Sequence, residues 1–106
     1  MVFMTSDTEL GVRASSLIGT EEYIKIRDKY HINNLKKFVP LNTHRLIIGS
    51  SIAIAKSVVD CGGTDEEIKR ACIFMRICFD ARKHRLDFHR ARKDLKIEEL
   101  EQKYVK

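Results

Sequence analysis

The sequence predicts an all-α fold, a small domain of three to four helices whose last helix is long and spans about residues 64–104. Thr64-Asp65-Glu66-Glu67 is a capping-box pattern, in which the Thr64 hydroxyl accepts a hydrogen bond from the Glu67 amide and the Glu67 carboxylate reaches back. No Pro or Gly follows Thr64, so no strong helix breaker interrupts this stretch. Its apolar residues recur at helical rather than alternating spacing.

The apolar side of this long helix changes direction along its length. Between Ile68 and Phe79 the helix is apolar nearly all round, which is typical of a buried central helix. From Ala81 onward, basic side chains continue the core face and the apolar stripe lies on roughly the opposite side. Either the helix bends near residues 80–85 and again near Lys96, or its second half leaves the domain and packs on a partner, for which a second copy of the chain is the obvious candidate. We expect that interface at Phe88, Ala91, Leu95, Leu100 and Tyr104.

Two weaker patterns open the chain. Residues 1–19 form either a short helix, started by the capping pattern Ser6-Asp7-Thr8-Glu9, or a weakly ordered arm. Thr20 precedes two glutamates and caps a clearer helix. We expect this helix to reach Lys37, because Pro40 prevents much continuation beyond it.

A third helix is predicted from about His44 to Asp60, with a left-handed glycine of Gly62-Gly63 ending it. Its β-branched residues make a strand the competing interpretation, but its length and caps favour a helix. We expect its apolar residues, beginning with Leu46, to be buried. A stripe of small residues predicts that the long helix approaches this one closely: Gly49, Ala53 and Ser57.

Length and composition bound the class of protein. The 106 residues are expected to form one domain, residues 1–106, and an apolar content of 43% suffices for a modest core. Three cysteines, an odd number, argue against a disulfide framework and favour a reducing, cytoplasmic setting. The longest apolar run, residues 46–59, is too short and too interrupted to span a bilayer, so we expect no membrane partner.

Positive charge is concentrated towards the C-terminus. The chain has a net charge of +5, and residues 82–96 alone, with seven Lys or Arg residues against two Asp residues, also carry +5. Residues 82–106 are thus expected to be a basic helical extension whose arginines suit contacts with phosphates, with Phe88 and the histidines adding contacts. We expect nucleic acid, DNA or RNA, to bind to Arg82, Lys83, Arg85, Arg90, Arg92, Lys93 and Lys96.

Other interpretations of the basic segment stay open. It is equally a solvated face, in which Asp87 and Asp94 act as internal partners, for example in an Arg90–Asp94 ion pair. Alternatively, the chain is a protein-interaction subunit or adaptor whose long helix docks on a partner. A helix-turn-helix around Gly62 is disfavoured, because the acidic start of the helix after it would repel phosphates.

No catalytic, cofactor or metal signature emerges from the sequence. No Cys–His spacing matches a nucleophilic pair, and no Gly-rich phosphate loop follows a strand. Asp80, His84 and Asp87 share a helix face, but three ligands from one helix make a weak metal site, and surface ion pairs explain them more simply. We therefore expect a non-enzymatic module without cofactor, metal or small-molecule substrate.

Overall fold

The computed structural model describes residues 5–32 and 39–105, and these residues form six helices and no β-strand. The helices are α1 (Asp7–Leu17), α2 (Thr20–Lys29), α3 (Leu41–Asp60), α4 (Asp65–His84), α5 (Phe88–Asp94) and α6 (Ile97–Tyr104). The all-α prediction is confirmed. The predicted number of helices and the long final helix are wrong, because the chain turns twice and residues 64–104 form three helices.

α4 is the central helix of the domain. α1, α3, α5 and α6 all pack against it. Its start has the predicted capping box: the Glu67 amide donates to Thr64 Oγ1 over 3.2 Å, and the Thr64 amide donates to Glu67 Oε1 over 3.0 Å. Side chains from all around the helix are buried, including Ile73 and Ile77 on the side away from the predicted core face. Phe79, which the sequence places in the core, is instead 49% exposed.

Two residues in the left-handed conformation interrupt the predicted long helix. Arg85 has φ 54° and ψ 48°, and Lys96 has φ 51° and ψ 47°. Backbone hydrogen bonds connect the turn at Arg85 to the residues that follow α2. The Ile32 amide donates to the Arg85 carbonyl over 3.0 Å, and the Asp87 amide donates to the Tyr30 carbonyl over 2.8 Å. The left-handed conformation costs a non-glycine residue about 1–2 kcal/mol.

The two turns return apolar residues beyond α4 to the core. Leu86, Ala91, Ile97 and Leu100 are each at most 2% exposed. Burying one large aliphatic side chain contributes about 1.5–3 kcal/mol, so three of them outweigh the strain of two left-handed residues at about 1–2 kcal/mol each. Of the two arrangements compatible with the inverted stripe, the bent chain is the one observed.

The first two helices match the sequence to different degrees. α1 is the short helix that the capping pattern predicts, and Leu10 and Ala14 are buried beneath it. α2 runs from Thr20 to Lys29, and its cap residue is Gly19, which has no side chain to cap the helix; the predicted capping role of Thr20 is wrong. The predicted extension of α2 to Lys37 lies outside the described residues.

α3 is rotated relative to the prediction. Leu46 is 73% exposed rather than buried, Ala53 is exposed, and a Cβ added at Gly49 would meet no atom within 4 Å. The predicted stripe of small residues therefore does not receive α4. The small residues that are buried on α3 are instead Ser51 and Ala55, both 0% exposed. In the turn after α3, a Cβ added at Gly63 would lie 2.6 Å from a side-chain atom of Val58, so this turn requires glycine. The buried residues of α3 are His44, Ser51, Ile54, Ala55 and Val58.

Glu67 also fixes α6 to the start of α4. Tyr104 Oη donates to Glu67 Oε1 over 2.6 Å, and Lys103 Nζ donates to Glu67 Oε2 over 3.1 Å. The hydrogen bond from Tyr104, with those from the Thr64 amide and Lys103, lowers the pKa of Glu67 to about 2. The Glu67 carboxylate thus takes part both in the N-terminal cap of α4 and in the contact between α4 and α6.

The left-handed turn at Lys96 predicts an unusual response to glycine. Lys96→Gly should raise the free energy of unfolding by up to about 1 kcal/mol, because glycine adopts this conformation without strain. The measurement is urea denaturation followed by circular dichroism. Gln102→Gly, at an exposed position inside α6, is the matched control and should lower the free energy of unfolding by about 1 kcal/mol. A loss of stability in both variants would indicate a continuous helix.

The low pKa of Glu67 predicts acid-sensitive stability. The contribution of the Glu67 carboxylate is fully present above its ordinary pKa of 4.5 and is lost as the pH falls towards about 2, where it becomes protonated in the folded state. The melting temperature of the natural chain should therefore exceed that of Glu67→Gln at pH 6, and the difference should shrink between pH 4.5 and about 2. A difference that stays constant over this range would mean that the carboxylate charge plays no part.

Candidate nucleic-acid interface

The basic residues of the segment 82–96 do not form the half-cylinder that a straight helix would present. Arg82 and Lys83 end α4, Arg85 lies in the first turn, and the other four lie on α5 or directly after it. The seven predicted binding residues fall into two groups by the exposure of their side chains. Lys83, Arg90, Lys93 and Lys96 are exposed, whereas Arg82, Arg85 and Arg92 are half-buried.

α5 is a short helix that is anchored at both ends. Asp87 Oδ1 accepts a hydrogen bond from the Arg90 amide over 3.1 Å, which caps the N-terminus. Arg70 of α4 donates from Nη1 to the Leu95 carbonyl over 3.2 Å at the other end. Ala91 is fully buried, so the opposite side of the helix faces solvent. The exposed basic side chains on that side and just after it form the α5 basic face: His89, Arg90, Lys93 and Lys96.

Both acidic residues of the segment have partners within the domain. Asp87 caps the helix, and Asp94 pairs with Lys29 of α2 at 4.0 Å. Burial and the neighbouring Asp94 charge raise the pKa of Tyr30. The expected Arg90–Asp94 ion pair is not found; the Arg90 guanidinium carbon lies 5.5 Å from the centroid of the Tyr30 ring, a cation–π contact. Among the described residues, no carboxylate forms an ion pair with Lys83, Lys93 or Lys96.

Two of the half-buried arginines have roles inside the domain. Arg92 forms a hydrogen-bonded ion pair with Glu101 of α6. Arg82 lies near His44, and burial together with this positive charge lowers the pKa of His44. Arg92 connects α5 with α6, so it contributes less to a surface for an external ligand than the four exposed cations, Lys83, Arg90, Lys93 and Lys96, do.

Three surface clefts meet at His89. One of about 480 Å³ lies between α5 and the start of α3, and one of about 340 Å³ is bordered by Arg92, Lys93 and Lys96. The third, of about 330 Å³, is the α3–α5 cleft, where the ring centroids of Phe88 and His89 lie 4.0 Å apart. From the sequence, the histidines are expected only to add contacts, because no sequence pattern indicates that α3 lies beside α5. The α3–α5 cleft is lined in part by Thr43, Leu46, Ile47, Phe74, Phe88 and His89.

The predicted partner interface is occupied by contacts within the chain. Ala91 and Leu100 are buried in the core. Phe88, Leu95 and Tyr104 are partly buried and pack against the same core. The interface was expected because a straight helix leaves these residues uncovered, and the two turns remove that condition. A second copy of the chain is not needed to cover them.

The structure also bears on the two other kinds of site considered from the sequence, a metal site that includes Asp80 and a nucleophilic cysteine. Asp80 accepts a hydrogen bond from Tyr23 Oη over 2.5 Å, and within residues 5–32 and 39–105 no group of three or more His, Cys, Asp or Glu side chains is placed to hold a metal ion. Burial raises the pKa of Cys72 to about 11 and that of Cys78 to about 12. Both thiols are therefore protonated at neutral pH, which opposes a role as nucleophile.

Comparison with protein-family models, curated proteins and solved structures finds no match to this chain. Within the part of the chain that the structure describes, none of the helices combines the length and the apolar character needed to cross a bilayer. The function is therefore inferred from the α5 basic face and the clefts beside it.

Proposed function

We propose that the chain is a non-enzymatic nucleic-acid-binding or regulatory module that contacts phosphates through the α5 basic face and Lys83. One observation carries the proposal: residues 82–96 have a net charge of +5, and no carboxylate among the described residues forms an ion pair with the exposed cations Lys83, Arg90, Lys93 and Lys96. Exposed cations without a carboxylate partner are available to phosphate oxygens, and the release of counterions from the polynucleotide then favours binding.

The anchoring of α5 supports contact with phosphates over simple solvation. Arg90 and Lys93 project from one exposed side of a helix that Asp87 and Arg70 hold at its two ends. Their spacing is therefore fixed before a ligand arrives, which lowers the conformational entropy lost on binding. The planar guanidinium of Arg90 can also donate two parallel hydrogen bonds to one phosphate.

The adaptor alternative has less support from the geometry. It depends on a long apolar helix that docks on a partner, and the fold contains three shorter helices whose apolar side chains pack on their own core. The exposed side of α5 is cationic, so a protein partner at this position would have to be acidic.

Salt dependence distinguishes the two functions. The purified chain is titrated against mixed-sequence duplex DNA and single-stranded RNA at about 50 and about 200 mM salt. Four phosphate contacts predict an affinity loss of roughly 100-fold over this range, because each contact releases condensed counterions. Absence of binding at about 50 mM salt would contradict the proposal.

Charge reversal on the α5 basic face should abolish binding without unfolding the domain. In Arg90→Glu combined with Lys93→Glu, repulsion replaces two phosphate contacts, while both side chains are exposed and lie outside the core. Binding is measured by fluorescence anisotropy and folding by circular dichroism. The single variant Lys93→Glu should lose about tenfold in affinity and about one unit of salt slope.

Arg13→Glu is the matched control for Lys93→Glu. Arg13 is exposed on α1 and borders a cleft with Val59, near the end of α3 opposite to Thr43 and the α3–α5 cleft. Its reversal changes the net charge by the same amount at a distant site, so affinity should change much less. Equal losses in the two variants would mean that net charge, and not the α5 basic face, determines binding.

A further inference from the structure

We infer that the ligand is a single-stranded polynucleotide and that one of its unpaired bases enters the α3–α5 cleft, while the adjoining phosphates lie on the α5 basic face. This inference rests on the proposed function and adds the class of nucleic acid. It is carried by the position of the cleft, by the side chains that line it and by the residue that it shares with the basic surface.

The α3–α5 cleft has the size and chemistry that a nucleobase requires. Its volume is about 330 Å³, and apolar side chains from two helices, Ile47 and Phe74, border it. Leu46, at 73% exposure the most exposed of the large apolar side chains in the described residues, also lines it. Two hydroxyl groups, those of Thr43 and Ser50, supply donors and acceptors for a base edge. A flat heteroaromatic ring with a polar edge matches this combination.

An aromatic pair joins the cleft to the cationic surface. Phe88 and His89 both line the cleft, with ring centroids 4.0 Å apart. His89 also borders the cleft of about 340 Å³ that Lys93 and Lys96 line. A base stacked on this pair therefore has its own phosphate next to the cations. Aromatic stacking beside a positively charged groove is the usual means by which proteins hold single strands with little sequence preference.

The arrangement excludes a base that remains paired. In a duplex, both faces of each base are covered by neighbouring base pairs, so no ring face is free to stack on a side chain unless the base leaves the helix. α5 has seven residues and is about 10 Å long, and none of its exposed residues, His89, Arg90, Lys93 and Asp94, is apolar. Duplex DNA can contact this side through phosphates alone, which predicts weaker binding than for a single strand.

Charge complementarity selects a polynucleotide over a peptide. The surface beside the cleft carries four basic side chains, His89, Arg90, Lys93 and Lys96, over eight consecutive residues. A polynucleotide supplies one negative charge with every base, so a base in the cleft and phosphates on α5 follow from one repeating unit. An acidic peptide with an aromatic residue is the competing occupant, and it forms a separate arm of the test.

The test compares three labelled 12-nucleotide probes of RNA or DNA, whichever binds better: a mixed-sequence single strand, its duplex with the complementary strand, and an abasic strand that retains the phosphates. Anisotropy titrations at about 50 mM salt should give about tenfold tighter binding for the single strand than for the other two, because stacking of one base is worth roughly that factor. Equal affinities for all three would overturn the inference and leave phosphate binding intact.

Phe88→Leu tests the aromatic wall and retains an apolar side chain of similar size. It should lower affinity for the single strand about tenfold and leave affinity for the duplex unchanged. Phe79→Leu is the matched control: Phe79 is 49% exposed, lies on α4 and borders a separate cleft with α1, so its replacement should leave both affinities unchanged. An unchanged single-strand affinity in Phe88→Leu would overturn the assignment of the cleft.

Leu46→Asp is a second variant that cannot fail through loss of the core, since Leu46 is 73% exposed. Leu46→Asp should lower the affinity for the single strand more than the affinity for the duplex. Val12→Asp, at a 66% exposed position on α1, should change neither affinity. Binding of an acidic aromatic peptide without binding of any oligonucleotide would overturn both the inference and the proposed function. Failure of every oligonucleotide, with no peptide binding, would overturn the proposed function itself.

Discussion

The constraint on which the whole fold depends is the nearly complete apolar circumference of α4. A helix with side chains such as Ile73, Ile77 and Cys78 buried on different sides needs neighbours all around it. The chain supplies α1, α3, α5 and α6. A straight continuation of α4 would have carried Leu86, Ala91 and Leu100 away from this helix. The left-handed turns keep them within reach, and the burial that results outweighs the local backbone strain.

The same turns determine which charges face solvent. Because Ala91 must reach the core, His89, Arg90 and Lys93 occupy the outer side of α5. Asp87 is no longer a mid-helix side chain but the cap of a new helix, and Asp94 meets Lys29 from α2. In a continuous helix these two carboxylates would lie among the basic side chains and could pair with two of them. The cationic surface is thus a product of the tertiary fold as well as of composition.

Local patterns were sufficient to predict some features of this fold. The capping box at Thr64, the left-handed Gly62 with φ 68° and the all-α class follow from short-range chemistry. The inverted stripe predicted a bend as one of two outcomes. The left-handed turns lie at Arg85 and Lys96, and neither arginine nor lysine is typical of that conformation. Periodicity alone therefore could not choose between a bent and a straight helix. The exposed side of α3 and the cleft at His89 depend on contacts between distant parts of the chain, which a single sequence does not reveal.

Stability and ligand binding are linked through α5. A seven-residue helix has little intrinsic stability in water, so its helical form depends on the cap at Asp87, the contact from Arg70 and the burial of Ala91. The proposed ligand, which spans α3 and α5, would add a contact between these two helices and would bind only when they are folded together. By mass action such a ligand stabilises the domain. Conversely, loosening the contact between Arg70 and the end of α5 would move the cations and Phe88, which α5 carries, relative to the α3 side of the proposed cleft.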